Sequence, residues 1–450
     1  MAKLFGTDGV RGEANSFLTP EIAFKLGRAG GHVLTGHVNH VPRVLIAKDG
    51  RRSGDMLEAA LIAGLCSIGA HVYQAGILPT PAVAFLVKHL NFDSAVMITA
   101  SHNHMADNGI KFISSDGYKL HKDIEAEIEN FMENDEDLPR PTGEDVGTLK
   151  QCETAALDYL EYLLSNAPNL NLKGLKIAID CANGATSFVA ERIFRKLGAI
   201  VYVINNTPDG SNINRNCGST HTKGLQDFVI NTGANVGLAF DGDGDRVLAV
   251  CEKGNVVDGD QILAICGLNL KNGGKLAANS IVATVMSNQG LEIFCKKNDI
   301  NLIRTDVGDW HVLERMQSDR LVLGGEQSGH VIFSEHSTTG DGILTGIKLL
   351  DALSYSRESL SELAGIMEVL PQVLVNVKVP NERKSELATN KAIEDKTNEV
   401  LQKLAGEGRI LVRPSGTEPV VRVMLEGRDK SEILQMANSL ADVIEKTLSD

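Results

Sequence analysis

Apolar residues recur along the chain in short continuous or alternating runs, and between them lie longer stretches with apolar residues at helical spacing. The first round predicts a helix at 19–34 that begins with Thr19-Pro20-Glu21. After it, the pattern predicts strands at 43–47, 71–75 and 94–98 and helices at about 53–68 and 80–88. Strands that alternate with helices are typical of α/β layers with largely parallel pairing.

The same alternation begins again twice. The second round predicts strands at 175–180, 200–204, 236–240 and 247–250, with helices at 186–197 and up to about 232. The third predicts strands at 280–285, 302–304 and 321–323, with helices from 260, at 290–297 and at 341–353. Three rounds of roughly 100–140 residues indicate duplicated architecture, although no tight residue-level repeat is visible.

Changes in composition mark the predicted domain boundaries. A charged helical stretch at 122–133 leads into a segment rich in Pro, Gly and Asp near 140–152, and Pro371 precedes a last region with strands at 373–379, 409–412 and 420–425. Helices are expected there at 390–404 and from 430. We predict three related α/β domains with mixed, largely parallel sheets (1–150, 151–256 and 257–370) plus a smaller C-terminal α+β domain (371–450).

Composition and charge restrict the class of protein. Of the 450 residues, 43% are hydrophobic and 23% are charged, which is ordinary for a globular chain with an ample core. The net charge of −14 argues against a nucleic-acid partner or an anionic membrane surface. The seven cysteines contain no C-x-x-C pair, and the N-terminus has no apolar signal-like run. We therefore expect a soluble cytoplasmic protein with free thiols.

A polar loop at 99–103 follows the apolar run at 94–98, and a further strand is expected from about 109 to 112. Asn108-Gly109 is interpreted as a turn signal before that strand. Ser101 at the tip of the loop, beside His102 and with Lys111 ten residues on, is a candidate nucleophile. The alternative is an ordinary capped turn, which most loops of this composition are.

Three aspartates spaced by glycines (Asp241, Asp243 and Asp245) follow the buried strand predicted at 236–240. Carboxylates this close repel one another unless a hard cation lies among them. A calcium EF-hand is disfavoured because Arg246 occupies the glycine position and strands flank the loop. Mg²⁺, which takes a few carboxylates and leaves positions for phosphate oxygen, suits the loop better. The alternative is a solvated acidic turn.

Two further loops carry polar side chains in a pattern that suits a phosphorylated sugar. Residues 324–330 offer Glu326, Ser328 and His330 for hydrogen bonds to sugar hydroxyls, although a structural turn is as plausible there. Residues 413–417 surround backbone N–H groups with a guanidinium and hydroxyls, as an anion-binding nest requires. An ordinary Pro-Ser-Gly turn is the alternative for that segment.

The glycine-rich N-terminal segment contains Arg11, either on an irregular surface segment or as a fixed cation for a phosphate. The chain has no Walker A sequence, no Gly-x-Gly-x-x-Gly and no Gly-x-Ser-x-Gly, which disfavours a nucleotide-binding enzyme and an α/β-hydrolase. A serine that carries phosphate, with Mg²⁺ beside it, can pass the group to one hydroxyl and recover it from another.

With these four loops in this order, the chain resembles the α-D-phosphohexomutase superfamily over essentially its whole length. The matching segments are 99–103 (phosphoserine loop), 241–246 (metal loop), 324–330 (sugar-binding loop) and 413–417 (phosphate-binding loop). Residues 5–12, Gln327 and residues 338–345 resemble the branch that acts on glucosamine phosphates. The resemblance implies conversion of glucosamine 6-phosphate to glucosamine 1-phosphate in bacterial UDP-N-acetylglucosamine synthesis. It also implies four domains around a central cleft, a catalytic sugar 1,6-bisphosphate as activator and a plausible homodimer.

The resemblance also implies roles for individual residues. Ser101 would be the phosphorylated nucleophile and, through its phosphate, a ligand of one Mg²⁺ ion held by Asp241, Asp243 and Asp245. Arg11, Lys111 and Arg246 would steady the phosphoserine or help its proton transfers. The substrate itself would be held by Glu326 and Ser328 with His330 nearby, and by Arg413, Ser415, Gly416 and Thr417.

Three segments depart from the family pattern. His104-Met105-Ala106 replaces the usual proline and aromatic residue, and Gly50 stands where threonine is usual. Trp310 replaces the arginine of a Val-Gly-Asp-Arg-Tyr run, a cation expected to face the substrate. We hypothesise that Trp310 reduces catalytic efficiency or shifts substrate preference.

The sequence is also compatible with other functions. A phosphoglucomutase or phosphomannomutase would keep the chemistry and change the sugar, and Gln327 weakly disfavours it. Trp310 suggests a weakly active relative kept as a binding protein, and a phosphatase would result if the cleft failed to exclude water. A requirement for a 1,6-bisphosphate would separate the mutase from the phosphatase.

Overall fold

The chain divides into two compact units, and the computed structural model describes residues 4–6, 8–404, 408–415 and 419–448. The first unit contains residues 1–286 and 301–366, and the second contains 287–300 and 367–450. Each unit has its own sheets and its own hydrophobic core, and each is considered by itself below.

The first sheet of the larger unit is mixed and begins with an edge strand. Its region contains β1 (Val10–Glu13), α1 (Pro20–Thr35), β2 (Arg43–Lys48), α2 (Ser53–Cys66), β3 (His71–Ile77), α3 (Thr80–His89), β4 (Ser94–Ile98), β5 (Asp107–Ser114), α4 (Lys122–Glu133) and β6 (Leu149–Gln151). The strand order is β1-β5-β4-β2-β3-β6. Parallel pairs join β4, β2, β3 and β6, whereas β5 and β1 add antiparallel strands. The predicted start of α1 is confirmed, because the Thr19 hydroxyl accepts the N–H of Ile22.

Two local predictions in this region were wrong. Residues 10–13, for which an irregular surface segment was one of the two alternatives, form β1 and pair with β5. Asn108-Gly109, interpreted as a turn, lies inside β5, where the buried Asn108 amide donates to Ser53 Oγ at 2.9 Å and its oxygen accepts the Gly109 N–H at 2.8 Å. A Cβ on Gly109 would lie 2.5 Å from the Thr99 carbonyl oxygen, so close backbone packing explains this glycine.

A second sheet follows a connecting helix. Its region contains α5 (Ala155–Ser165), β7 (Lys176–Asp180), α6 (Ala190–Lys196), β8 (Ile200–Ile204), α7 (Lys223–Thr232), β9 (Val236–Phe240), β10 (Val247–Cys251) and β11 (Val256–Val257). The order is β11-β10-β9-β7-β8, with β7 parallel to both β8 and β9. The helix predicted at 186–197 is broken at Val189, whose φ of −123° is not helical. A 3₁₀ turn (Ala185–Phe188) precedes α6 as a result.

The third sheet repeats the parallel arrangement on a smaller scale. The chain continues through α8 (Gly259–Asn272), β12 (Ser280–Thr284), α9 (Gln289–Lys297), β13 (Asn301–Thr305), α10 (Asp309–Asp319), β14 (Leu323–Gly325), β15 (Val331–Phe333), α11 (Gly342–Ser356) and α12 (Leu360–Ala364). The order is β13-β12-β14-β15, and α9 belongs to the second unit. The sequence pattern missed α10 and β15 and placed β14 two residues early. Both strands have only three residues, and β14 ends in two glycines.

The second unit is an antiparallel sheet covered by helices. It contains β16 (Gln372–Lys378), α13 (Lys391–Leu404), β17 (Arg409–Pro414), β18 (Val420–Glu426) and α14 (Lys430–Leu448), with strand order β16-β18-β17. Alternate residues of β18 (Val421, Val423 and Leu425) are buried in one cluster with apolar residues of α14. The predicted fold class is confirmed: mixed, largely parallel α/β sheets with a small C-terminal α+β domain. In the described residues, no helix combines the length and apolarity needed to cross a membrane.

Candidate active site

Ser101 lies at the carboxyl end of β4 on a loop that one buried arginine organises. The Arg51 guanidinium donates to the backbone carbonyls of Ser101 (2.9 Å), Asn103 (2.9 Å), His104 (2.5 Å) and Asp107 (2.9 Å). Ser101 itself has φ of +48°, a left-handed conformation that is uncommon for a residue with a Cβ. Such conformations persist where the surroundings determine them, and the four carbonyl contacts do so here.

Asp49 completes the support of this loop. Its Oδ2 accepts hydrogen bonds from Arg51 Nε at 2.9 Å and from the Thr99 hydroxyl at 2.7 Å, and that hydroxyl accepts the Ser101 N–H at 2.9 Å. Burial raises the pKa of Asp49, and the Arg51 charge opposes that rise. Neither Asp49 nor Arg51 was among the predicted site residues, although both lie in the run Lys-Asp-Gly-Arg at the end of a buried strand, which was the available signal.

The three aspartates of the metal loop converge at the end of β9. All three are buried, and one carboxylate oxygen from each lies within 4.8 Å of the others. The Ser101 hydroxyl donates to Asp241 Oδ2 at 2.6 Å, and the Thr80 hydroxyl donates to Asp243 Oδ2 at 2.6 Å. The structure therefore brings the candidate nucleophile of the first sheet into direct contact with the acidic loop of the second.

The electrostatics of this loop favour a bound cation. Burial, together with the charges of Asp245 and Asp243, raises the pKa of Asp241 well above its usual range. Asp243 Oδ1 and Asp245 Oδ1 are buried and accept no hydrogen bond. Buried carboxylate oxygens without donors are what a hard divalent cation requires as ligands. The residues present thus fit the metal that the sequence predicted.

Two of the predicted cations lie beside this cluster. Lys111, on β5, has its Nζ 3.2 Å from Asp243 Oδ2 and 2.7 Å from Asp8 Oδ2. Arg11, on β1, donates to the same Asp8 oxygen at 2.8 Å. Burial alone would lower the pKa of Lys111, but Asp243 and Asp8 raise it above its ordinary value. Lys111 therefore stays an ammonium ion and serves as a fixed positive charge.

Arg246 connects the acidic loop with the sugar-binding loop. Burial opposes its charge, yet the negative charges of Asp245, Asp241 and Glu326 raise its pKa. Its Nε lies 3.8 Å from Asp245 Oδ1 and, although buried, donates no hydrogen bond. An unused guanidinium N–H in such a place is available to an anionic group.

The sugar-binding loop lies between β14 and β15. The Glu326 N–H donates to the His330 carbonyl at 2.9 Å, and Glu326 Oε1 accepts the Gly308 N–H at 3.2 Å. Ser328 Oγ is buried without a hydrogen-bond partner. Gly329 has φ of +91°, and a Cβ there would lie 2.2 Å from the Val247 carbonyl oxygen, so this position requires glycine. The loop is tightly built and still offers one carboxylate oxygen and one hydroxyl.

Two histidines in the site have pKa values that move in opposite directions. Burial would lower the pKa of His330, but Asp245, at 3.4 Å from its Nδ1, raises it above the ordinary value. Burial and the nearby Arg246 lower the pKa of His102, whose buried Nδ1 has no hydrogen-bond partner. Groups whose environments separate their pKa values in this way are candidates for acid and base roles. His102, next to the nucleophile, was not among the predicted site residues.

The fourth predicted loop belongs to the second unit. Arg413 is half-buried, Ser415 is buried, and the Ser415 carbonyl accepts a hydrogen bond from Lys384 Nζ at 2.7 Å. Arg413 lies directly opposite Arg422 across β17 and β18, and burial together with that second guanidinium lowers the pKa of Arg413. Paired guanidiniums are typical of an anion-binding surface. Gly416 and Thr417 lie outside the described residues.

Trp310 occupies the first turn of α10. Its ring is half-buried, and its centroid lies 5.9 Å from that of His121 in an edge-on contact. The preceding residue, Asp309, forms an ion pair with Lys119. The departure from the family pattern therefore falls at a contact between segments of the first and third sheet regions.

Comparison with protein-family models matches each part of the chain in order. The models describe phosphoglucomutase/phosphomannomutase α/β/α domain I (residues 2–138), domain II (157–254), domain III (258–370) and the C-terminal domain (374–443). Together these models cover most of the chain.

Curated proteins and solved structures agree with this result. The chain is 56% identical to a phosphoglucosamine mutase of Acetivibrio thermocellus, with 100% of both chains covered, and 53% identical to one of Ruminiclostridium cellulolyticum, again with 100% of both covered. A phosphoglucomutase/phosphomannomutase family protein from Burkholderia thailandensis has the same fold, with a TM-score of 0.81, 24% identity, and coverage of 99% of this chain and 97% of that one. The chain therefore belongs to the phosphoglucosamine mutase family, whose members are isomerases of the phosphoglucomutase/phosphomannomutase type.

Proposed function

We propose that the protein interconverts glucosamine 6-phosphate and glucosamine 1-phosphate and so serves the synthesis of UDP-N-acetylglucosamine. The names of the full-length relatives support the choice of sugar. The observation that carries the proposal is the Ser101 hydroxyl, 2.6 Å from Asp241 Oδ2 within a buried group of carboxylates and beside fixed cations. This arrangement suits transfer of a dianionic phosphoryl group better than acyl or hydride transfer.

The reaction consists of two phosphoryl transfers. In the first, the bond between phosphorus and Ser101 Oγ breaks, a bond from phosphorus to the sugar 1-oxygen forms, and the proton of that hydroxyl passes, in net, to Ser101 Oγ. The sugar 1,6-bisphosphate then turns end over end. In the second, the 6-phosphoryl group returns to Ser101 Oγ, and the proton of the Ser101 hydroxyl passes, in net, to the sugar 6-oxygen. A trace of the bisphosphate would act as activator, because it restores phosphoserine whenever the intermediate escapes.

One Mg²⁺ ion would be held by Asp241, Asp243 and Asp245 together with the Ser101 phosphate, and it would neutralise negative charge on the transferring group. The chain's own cations do the rest of that work. Lys111 is held as an ammonium ion between Asp243 and Asp8, and Arg246 presents an unused N–H, so both suit equatorial phosphoryl oxygens. Arg11 would steady the phosphoserine.

Sugar and distal phosphate would be held by the two remaining loops. Glu326 and Ser328 suit sugar hydroxyls, and His330, whose pKa is raised by Asp245, suits donation of a proton. Arg413, Ser415, Gly416 and Thr417 would hold the phosphate that does not react. We also retain as proposals the domain limits 1–150, 151–256, 257–370 and 371–450 around a central cleft, a cytoplasmic location and a possible homodimer.

A coupled assay on the purified protein tests this function. With Mg²⁺ and a trace of sugar bisphosphate, we expect turnover of glucosamine 6-phosphate well above that of glucose 1-phosphate. Ser101→Ala should reduce turnover by about 10⁴-fold or more, because the group that carries phosphate is removed. Ser115→Ala, on an exposed serine, is the matched control. Preference for glucose or mannose phosphates would overturn the choice of sugar, and full activity of Ser101→Ala would overturn the mechanism.

A further inference from the structure

Lys119 lies outside the four motif loops, yet its ammonium group joins two parts of the site. It follows β5, where it forms an isolated bridge with Ile113. Its Nζ lies 2.6 Å from Asp8 Oδ1 and forms a second ion pair with Asp309 Oδ2. Only 18% of its side chain is exposed. A largely buried lysine between two carboxylates from distant segments requires an explanation beyond solubility.

One end of this contact reaches Arg11 and Lys111, the cations beside the metal loop. Asp8, which pairs with Lys119 through Oδ1, accepts from Arg11 at 2.8 Å and from Lys111 at 2.7 Å through Oδ2. Asp8 thus sets the positions of two positive charges. Burial alone would raise the pKa of Asp8, but Lys111 and Lys119 lower it well below its usual range, so it stays ionised.

The other end reaches the sugar-binding loop. Asp309 begins α10, its Oδ2 lies 3.9 Å from His330 Nε2, and the N–H of the preceding Gly308 donates to Glu326 Oε1 at 3.2 Å. Any shift of Asp309 therefore moves the backbone that contacts Glu326. Burial would raise the pKa of Asp309, but the charges of Lys119 and His330 lower it.

We infer that Lys119 is a positioning residue that holds Glu326 and His330 of the sugar-binding loop in register with Arg11 and Lys111, the cations beside the metal loop. The inference rests on the proposed function for its kinetic consequences. The substrate must place one hydroxyl next to Ser101 while the sugar-binding loop binds its ring. The distance between this loop and the residues around Ser101 must therefore stay fixed. Lys119 fixes that separation through ion pairs with Asp8 and Asp309.

The chain contains a natural reporter of this contact. Trp310, the only tryptophan in the sequence, follows Asp309, and its N–H donates to Asp309 Oδ1 at 2.9 Å. Its ring contacts His121, two residues after Lys119. Tryptophan fluorescence therefore measures the Lys119–Asp309 contact independently of catalysis.

The test compares the wild-type protein with Lys119→Met, Asp309→Asn, the double variant and Lys122→Met. Lys122 is an exposed lysine on the same segment and serves as the matched control. We expect Lys119→Met to lower kcat/KM for glucosamine 6-phosphate by about 10²-fold, mainly through KM, because sugar binding is weakened. The double variant should lose less than the product of the single losses, since both changes break one contact.

Acrylamide quenching of Trp310 provides the second readout. We expect quenching to increase about twofold in Lys119→Met and Asp309→Asn, with unchanged far-ultraviolet circular dichroism, and to stay at the wild-type value in Lys122→Met. Unchanged quenching in Lys119→Met, a loss confined to kcat, or losses that multiply in the double variant would overturn the inference. Absence of turnover in the wild-type protein would overturn the proposed function instead, and the quenching comparison would still decide the positioning contact.

Discussion

Asp241 of the metal loop differs from Asp8 and Asp309, in the same unit, in the charges that surround it. Asp241 is fully buried, whereas the side chains of Asp8 and Asp309 are 23% and 24% exposed. Asp241 lies among like charges, and burial together with Asp245 and Asp243 raises its pKa well above the usual range. The pKa values of Asp8 and Asp309 are lowered despite burial, because lysines lie next to them. Sequence spacing explains the contrast only for the metal loop, in which the three carboxylates follow one another along the chain.

This difference in surrounding charge distinguishes a site that binds a ligand from a contact that positions other residues. The metal loop has buried carboxylate oxygens that accept no hydrogen bond, so its repulsion is relieved when a cation binds. The Asp8–Lys119–Asp309 contact is already paired in the protein. Breaking it removes one cationic partner from each of two largely buried carboxylates, although Asp8 keeps Arg11 and Lys111 and Asp309 keeps His330. The metal loop should therefore respond to metal, and the Asp8–Lys119–Asp309 contact should respond to changes in its own side chains.

The largest expected effect tests the metal loop. Removal of divalent metal with a chelator should reduce turnover by about 10³-fold or more, because the charge of the transferring group is no longer neutralised. Asp241→Asn should weaken metal binding, and in metal-free buffer it should raise the thermal midpoint, since one of three repelling carboxylates is removed. Calorimetry with and without Mg²⁺ measures both effects.

Asp227→Asn, on an exposed carboxylate of α7, is the control for this comparison. It should change neither metal binding nor the dependence of the thermal midpoint on Mg²⁺. A lower midpoint for Asp241→Asn in metal-free buffer would contradict the view that the loop is strained by repulsion.

A smaller effect is expected from Arg51, whose guanidinium pairs with Asp49 and binds the backbone carbonyls around Ser101. Arg51→Lys keeps the charge next to Asp49 but loses the planar fork that reaches four carbonyl oxygens. We expect kcat to fall by about 10²-fold, because the nucleophile is no longer held in its left-handed conformation. Arg52→Lys, on the exposed neighbouring arginine, is the matched control. Equal activities of the two variants would rule out this role for Arg51.

Asp341 provides an intermediate case, a buried carboxylate held by neutral donors. Its oxygens accept from the Tyr159 hydroxyl at 2.8 Å and the Leu344 N–H at 2.9 Å, and burial raises its pKa from 3.8 to about 6. A raised pKa means that its contribution to stability is complete below about pH 4 and is lost as pH rises through 6. The rise in pKa from 3.8 to about 6 corresponds to a loss of about 3 kcal/mol in the free energy of unfolding.

Asp341→Asn should therefore be more stable than the wild-type protein above pH 7, with the difference shrinking toward pH 4. Thermal denaturation across this pH range measures the change, and Asp227→Asn provides the comparison without a buried group. A difference that is independent of pH would show that the Asp341 carboxyl does not titrate as its burial predicts.

The smallest effect concerns Trp310. If the hypothesis from the family pattern is right, Trp310→Arg should raise kcat/KM for glucosamine 6-phosphate, by less than about tenfold, because one cation is added next to a network already paired by Lys119. Trp310→Phe, which keeps an aromatic ring against His121, should not produce the gain. No increase in Trp310→Arg would remove the hypothesis.

Much of the fold was predictable because its signals are local. The strands at Ser94–Ile98, Ile200–Ile204 and Val236–Phe240 and the helix at Lys122–Glu133 have the predicted limits. Continuous apolar runs and capped helix starts encode such elements within a few residues. The strand at Val10–Glu13 was missed because its glycine and two charged residues do not favour a strand by themselves, and pairing with β5 holds it.

Within the candidate site, the spacing of residues along the chain identified only part of the residues that lie together. Asp241, Asp243 and Asp245 could be identified because one loop carries all three. The roles of Ser101 and of the sugar- and phosphate-binding residues stay predictions. Lys119 could not be identified, because no motif surrounds it in the sequence. Asp8 lies inside the segment 5–12 that resembles the family, but no role was predicted for it.

The sequence by itself determined the alternation of strands and helices, the order of the four motif loops and the acidic triad, since each depends on residues close together in the chain. Only the tertiary structure decided that Arg51 binds the backbone around Ser101, that Thr80 and Lys111 share Asp243, and that Lys119 joins Asp8 to Asp309. These contacts join residues up to 190 positions apart. Their physical basis is the burial of charges, which must find partners wherever the folded chain brings them.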